Sequence, residues 1–281
     1  MAKLTGQRYG KAKVRVLKIL REGAVHTIRE IEVSALLAGD FQSSYTAGDN
    51  SKVVPTDTIK NTINVLAKQH LGGDLESFAA ILGEHFVRRH EAVQEATIEI
   101  MERAWNRLEF EGKPHPHSFQ AGSEARRFAR AICRADASAL SAGVRDLVIL
   151  KSTGSGFEGY PKCEYTTLPE TADRILATSF RATWHFAAAP VSYRVADDAI
   201  LGAMLRVFAE NYSPSAQTTL FQMGEAALGA CAEISRIDLA MPNKHCPLLN
   251  LAPFGLENKN EVFVPTEEPH GSIEASVARG V

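Results

Sequence analysis

Hydrophobic residues alternate with polar ones near the start of the chain. Val14 and Val16 alternate with Lys13 and Arg15, and a turn at 21–23 leads into a second alternating run over 25–37. A period of two is typical of strands, so these runs predict an antiparallel hairpin. Two more strands are predicted at 96–100 and 128–133, the second after a polar loop.

Between these strands the hydrophobic residues recur every three to four positions. From Ile59 to Ala67 this spacing predicts an amphipathic helix with Thr56 as its cap and Asp57 in its first turn. A second helix is predicted after Asp74. The first half therefore combines an antiparallel sheet with two helices.

The second half repeats this order of elements. Strands are predicted at 144–150, 183–188, 237–241 and 273–277, and helices at 197–210, near 213–214 and after the capping-box pair Thr167 and Glu170. The pattern predicts an α+β protein of two tandem units, residues 1–138 and 139–281, each an antiparallel sheet with helices on one face. No residue-level repeat supports the duplication, which depends on element order alone.

Composition excludes several classes of protein. The 281 residues are 45% hydrophobic and 23% charged, as in ordinary globular domains. A net charge of −2 provides no attraction to nucleic acid or to an acidic membrane surface. The chain has no apolar run of about 20 residues, no signal peptide, four scattered cysteines and no SKL-type tail. These features predict a cytoplasmic, bacterial protein without a nucleic-acid or membrane partner.

The common catalytic motifs are absent. The stretch STGSG at 152–156 lacks the GK[ST] ending of a phosphate loop, and there is no HExxH or GxSxG. His115 and His117 flank Pro116, but two ligands fall short of the three or four that zinc needs. The sequence therefore predicts neither a metal site nor a cofactor.

Six polar stretches remain, and each by itself can be explained by caps and turns. They are YGK at 9–11, VVPTDTIKNT at 53–62, LKSTGSGFEGY at 150–160, YTTLPETADRILAT at 165–178, SPSAQTT at 213–219 and MPNKH at 241–245. Together with NEVFVPTEEPHG at 260–271, they make the chain resemble the urate oxidases (uricases) from Tyr9 to about Ala275. The resemblance is weakest between Leu108 and Leu140.

The resemblance implies a fold, an assembly and a reaction. The fold is the tunnelling fold, in which tandem antiparallel sheets carry helices on their outer face and four identical subunits close a β-tunnel. The reaction is the cofactor-free oxidation of urate by dioxygen and water to 5-hydroxyisourate and hydrogen peroxide, in purine degradation. Urate and dioxygen are then the partners, and each active site is shared between subunits of a homotetramer.

The resemblance also assigns roles to residues. Lys11 and Thr56 would form the base pair, and His245 would complete a proton relay. Arg174, Gln217 and the backbone of Ala216 would bind one edge of urate, Thr56 and Asp57 the other, with Phe157 stacked on the ring and Asn243 positioning oxygen. These residue types suit a flat anion, because arginine offers a planar fork of donors, an amide offers a donor and an acceptor, and a helix N-terminus favours negative charge.

Two alternatives stay open. One is another purine- or pterin-handling enzyme of the same fold, and the other is a non-catalytic oligomer that binds purines. The lack of a clustered Cys/His set argues against a metal-dependent relative. A degenerate relative is expected to have lost some of the six main candidates, and all are present: Lys11, Thr56, Arg174, Gln217, Asn243 and His245. Pro55, Ala216 and Cys246 are unexpected at their positions.

Overall fold

The computed structural model describes residues 2–280 and divides into two compact units. One unit comprises Met1–Val144 with His185–Val195, and the other comprises Arg145–Trp184 with Ala196–Val281. The boundary at 138/139 between two tandem tunnelling-fold units stays a prediction. Within residues 2–280, no helix combines the length and the apolar character that a bilayer crossing needs.

Nine strands and five α-helices are described within residues 2–280. In chain order they are β1 Tyr9–Arg21, β2 His26–Gly39, α1 Gln42–Thr46, α2 Thr56–His70, α3 Leu75–Arg89, β3 Val93–Phe110, β4 Lys113–Arg134, β5 Ser138–Lys151, β6 Leu176–Phe186, α4 Tyr193–Glu210, α5 Ala216–Ala230, β7 Ile234–Ala240, β8 Asn243–Lys244 and β9 Glu274–Ala278.

The first unit is a sheet with helices packed on it. Strands β1 to β4 are hydrogen-bonded neighbours in that order, and all three pairs are antiparallel. Helix α2 packs on β1, and α3 packs on β3 and β4. The apolar side chains that the helices and strands share form one buried core, which includes Val33, Leu37, Ile59, Ile63, Phe78, Leu82, Phe86 and Ile98.

The second unit is also antiparallel where its pairings are defined. Strand β7 pairs with β9, β8 pairs with β6, and α5 packs on both β7 and β9. The α+β class with antiparallel sheets is therefore confirmed. It follows from strands that bury one face and from helices whose apolar side covers that face.

Helix α5 offers a matched test of this packing. A Cβ added at Gly224 would lie 2.6 Å from Val277 Cγ2 on β9, whereas one at Gly229 would meet nothing within 4 Å. We expect Gly224→Ala to lower the free energy of unfolding by about 1–3 kcal/mol through overpacking. The control Gly229→Ala is expected to raise it by up to about 1 kcal/mol through helix propensity. Denaturant titration of both variants measures the difference, and equal effects would contradict the packing.

Three local predictions differ from the structure. Helix α2 begins at Thr56 and its cap is Pro55, so the prediction of a Thr56 cap is wrong. Residues 165–175 form no helix, and the capping-box prediction at Thr167 is also wrong. The polar loop expected before 128 is part of one long hairpin, because β3 and β4 are joined only by Glu111 and Gly112.

Candidate functional site

A β-bulge sets the position of Lys11. Lys11 pairs with Ala35 and Val14 pairs with Val33, so two residues of β1 lie opposite the single residue Ser34 of β2. Lys13 has a φ of 58° and its N–H donates to Ser34 Oγ at 3.2 Å. The extra residue lets Lys11 and Val14 share a face of the sheet.

Tyr9 connects that face to the start of α2. Its ring packs against the core of the first unit, and its hydroxyl accepts a hydrogen bond from the N–H of Val54 at 2.7 Å. Since side chains two apart share a face, Tyr9 and Lys11 both face α2. Thr56 and Asp57 begin that helix and are exposed.

Charged side chains at the start of α2 interact with one another. Asp57 accepts hydrogen bonds from Lys60 Nζ and, at 3.0 Å, from Asn61 Nδ2. The hydrogen bond and charge of Lys60 hold the pKa of Asp57 below its usual range, and the charge of Lys11 lowers it further. The structure therefore brings Lys11, Thr56 and Asp57 together at a helix N-terminus, where backbone N–H groups lack helical partners.

The second unit contains a cavity of about 660 Å³. Four of the predicted site residues line it, namely Phe157, Arg174, Asn243 and His245. Cys246, a partly exposed thiol, lines it as well. Side chains from three separate stretches of sequence thus meet around one space that is large enough for a small planar molecule.

Backbone hydrogen bonds hold Phe157 and Arg174 beside each other. Phe157 N–H donates to Thr171 O at 2.7 Å, and Arg174 N–H donates to Ser155 O at 2.7 Å. The Arg174 Cζ atom lies 5.3 Å from the centre of the Phe157 ring. This arrangement presents an aromatic face and a planar cation to the same cavity.

Asp173 fixes the turn next to Arg174. One oxygen of its carboxylate accepts from Thr153 Oγ1 and from the N–H of Gly154, both at 2.9 Å. Its own carbonyl accepts from Thr171 Oγ1 at 2.7 Å. Because hydrogen bonds to a charged acceptor are strong, this carboxylate joins the two polar stretches at 150–160 and 165–178.

The guanidinium of Arg174 has an unused donor. Burial lowers the pKa of Arg174, and its Nε atom is buried without a hydrogen-bond partner among the described residues. A buried donor that lacks an acceptor costs about 1–3 kcal/mol. An anion with acceptor atoms in the cavity would remove that cost.

Tyr160 supports Phe157, a role that the sequence interpretation missed. Its ring stacks on that of Phe157 with centroids 4.8 Å apart and an interplanar angle of 12°. Its hydroxyl donates to the carbonyl of Leu168. The stacking fixes the plane of Phe157, and no hydrophobic periodicity marks such a residue in the sequence.

Asn243 and His245 lie on a short segment that two other segments hold. Asn243 pairs with Thr178 on β6, and its N–H donates to Gly271 O at 2.8 Å. The carbonyl of His245 accepts from the N–H of Thr266 at 2.9 Å. The His245 side chain is exposed.

Ala216 and Gln217 lie at the start of α5 and are not among the residues that line the cavity. Ala216 is buried and Gln217 is exposed. The Ser215 side chain caps the helix by accepting from Thr218 N–H at 3.1 Å. Two backbone bonds connect the preceding Ser213 to residues 154 and 156, so this helix start is tied to the stretch that carries Phe157.

The histidines that flank Pro116 lie on β4 in the first unit. The ring centres of His115 and His117 are 4.7 Å apart, and His26 is 5.9 Å from His117. Across the part of the chain that the structure describes, no group of three His, Cys, Asp or Glu residues is arranged to hold a metal ion.

Comparison with known proteins gives one family. The family model described as uricase matches residues 7–131 and 140–274. A uricase from Cyberlindnera jadinii is 40% identical over 293 residues, which cover 98% of this chain and 97% of the relative. A uricase from Arthrobacter globiformis is 39% identical over 272 residues, covering 97% and 88%.

Solved structures agree with the sequence comparison. The crystal structure of the Arthrobacter globiformis uricase has a TM-score of 0.94 at 38% identity, covering 99% of this chain and 96% of that one. A urate oxidase from Bacillus sp. TB-90 has a TM-score of 0.84 at 20% identity, which shows the fold alone. The tunnelling fold expected from the resemblance is confirmed, and the chain belongs to the uricase family.

Proposed function

We propose that this protein is a urate oxidase that converts urate, dioxygen and water to 5-hydroxyisourate and hydrogen peroxide. The observation that carries the proposal is the partly buried Arg174 guanidinium, whose buried Nε donor is unsatisfied, beside the Phe157 ring in a cavity of about 660 Å³. A flat, anionic oxopurine supplies both the acceptor atoms and the ring face that this pair needs. Membership of the uricase family makes the chain an oxidoreductase that acts on urate.

The residues of the second unit bind the substrate in this proposal. Arg174 donates a planar pair of hydrogen bonds to a carbonyl oxygen and ring nitrogen of urate. Gln217 supplies a donor and an acceptor to the same edge, and the backbone at Ala216 adds a contact. Phe157 stacks on the ring. Thr56 and the N–H of Asp57 hold the opposite edge at the start of α2.

The chemistry requires an electron-rich substrate, because triplet dioxygen reacts slowly with closed-shell molecules. Lys11 and Thr56 remove a second proton from the urate anion, and His245 passes protons through Thr56. Two electrons then go from urate to dioxygen, which leaves as hydrogen peroxide. Water supplies the new hydroxyl group, and Asn243 positions first oxygen and then this water above the ring.

The same proposal includes a site shared between subunits of a homotetramer. Lys11, Thr56 and Asp57 lie in one compact unit, and Phe157, Arg174, Asn243 and His245 lie in the other. Each set is complete within its own unit, so a site built from two chains needs only that these units meet across an interface. A location in the cytoplasm remains the expectation from the sequence.

The direct test is an assay with purified protein and urate in air. Urate loss and peroxide formation are expected at equal rates, and both are expected to survive exhaustive chelation. The reason is that Lys, Thr, His and Arg side chains carry out the proposed steps, while residues 2–280 contain no cluster of metal-binding side chains. Complete loss of activity on chelation, restored by a single metal, would contradict the cofactor-free reaction.

A further inference from the structure

The segment Asn260–Gly271 has no role in the proposed reaction, although it belongs to the stretches that resemble uricases. In the structure it lies antiparallel to the segment that carries Asn243 and His245. Val264 N–H donates to Pro247 O at 2.9 Å, and Leu249 N–H donates to Val262 O at 3.0 Å. This short ladder continues to Thr266, which lies opposite His245.

Thr266 differs from the other residues of this ladder. Its N–H and its side-chain hydroxyl both donate to the carbonyl oxygen of His245, at 2.9 and 3.0 Å. A carbonyl oxygen has two lone pairs, so both are used. The pair of bonds therefore fixes the peptide plane that follows His245 more firmly than a single ladder bond would.

These two hydrogen bonds to the His245 carbonyl matter because little else fixes the position of the His245 side chain. The imidazole is exposed and makes no hydrogen bond to any described residue of the chain. Its position relative to the cavity is therefore set by the backbone from which it projects. A proton relay requires donor and acceptor atoms within hydrogen-bond reach, so a small rotation of this peptide would disturb it.

We propose that Thr266 is a positioning residue that holds the His245 imidazole toward the cavity through its hydroxyl. This inference rests on the proposed function, in which His245 relays a proton. The substrate contacts of Arg174 and Phe157 come from a different stretch of chain, which is held by its own bonds to Ser155 and Thr171. Thr266 therefore acts on the chemical step and leaves urate binding unchanged.

The test compares Thr266→Val with Thr266→Ser. Valine keeps the shape and the backbone N–H but removes the hydroxyl, whereas serine keeps the hydroxyl and removes a methyl group. We expect kcat to fall about 10-fold in the valine variant, within the range that a misplaced catalytic group costs, and to stay within about 2-fold in the serine variant. Urate binding, measured without dioxygen by difference absorbance, is expected to stay within about 2-fold in both.

A double-mutant cycle separates positioning from a purely structural role. In a His245→Ala background, Thr266→Val is expected to cause no further loss of kcat, because the group that it positions is gone. An additive loss would overturn the inference, and so would equal loss in the valine and serine variants or weaker anaerobic binding of urate. Failure of the proposed function is a separate result, since it appears as a wild-type protein that does not oxidise urate.

Discussion

Mixing Lys11→Ala chains with His245→Ala chains is expected to restore urate oxidation that neither variant shows alone. Removing a general acid or base typically lowers the rate by about 10²–10⁴-fold, so each parent is nearly inactive. In a hybrid pair with shared sites, one site carries both substitutions and the other carries none. A hybrid dimer is therefore expected to regain about half the activity of a wild-type pair.

The matched control mixes Lys11→Ala with Thr56→Ala. Both substituted residues lie in the first unit. With shared sites, every active site of a hybrid therefore contains one substitution or the other, and no activity is expected to return. Hybrid formation is verified with two different affinity tags and mass spectrometry. If proven Lys11→Ala and His245→Ala hybrids stay inactive, each chain builds its own site.

The second large effect is expected for Arg174→Lys. A planar fork of donors becomes a single ammonium group, and the acceptors of urate lose a matched partner. We expect the anaerobic dissociation constant for urate to rise about 5- to 150-fold, which corresponds to about 1–3 kcal/mol for an unsatisfied buried group.

Arg206→Lys serves as the control for this substitution. Arg206 lies on α4 with 74% of its side chain exposed and pairs with Glu210 at 3.3 Å. Exposed pairs of this kind contribute about 0–1 kcal/mol to folding stability. Arg206 is not among the residues that line the cavity, so urate affinity is expected to stay at the wild-type value. Near-normal urate affinity in Arg174→Lys itself would show that Arg174 does not contribute to urate binding.

Hydrophobic periodicity predicted the elements with a buried face and missed the outer part of the β3–β4 hairpin. Strand β2 and helix α2 were found because Ile31, Val33, Ile59 and Ile63 are buried at regular intervals. The outer part of the β3–β4 hairpin has few buried residues, so its alternation is weak and it resembled a loop. The spacing of hydrophobic residues reflects which side chains are buried. An element with few buried side chains therefore gives a weak periodic signal.

The false helix after Thr167 has a different cause. Its capping spacing is present, but the polar side chains there bond elsewhere. Glu170 accepts from Gly159 N–H at 3.2 Å, and Thr171 Oγ1 donates to Asp173 O. Such side-chain bonds compete with helix formation when no apolar face favours the helix.

The site was predictable only in part. The resemblance named the residues, and the structure gathers Lys11, Thr56 and Asp57 in one unit and lines a cavity in the other with Phe157, Arg174, Asn243 and His245. Their roles remain proposals. Tyr160 stacks on Phe157, and the Asp173 carboxylate fixes the turn beside Arg174. Neither interaction leaves a periodic mark in the sequence.

The unsatisfied donor of Arg174 also bears on how this fold balances stability against activity. A buried guanidinium Nε without an acceptor makes the folded state less stable than an apolar side chain of similar size would. The unliganded chain carries this cost whenever the cavity holds no acceptor, and a bound anion offsets it. Under the proposed function, arginine at position 174 serves ligand binding at the expense of folding stability, and we expect substitutions selected only for thermal stability to remove it.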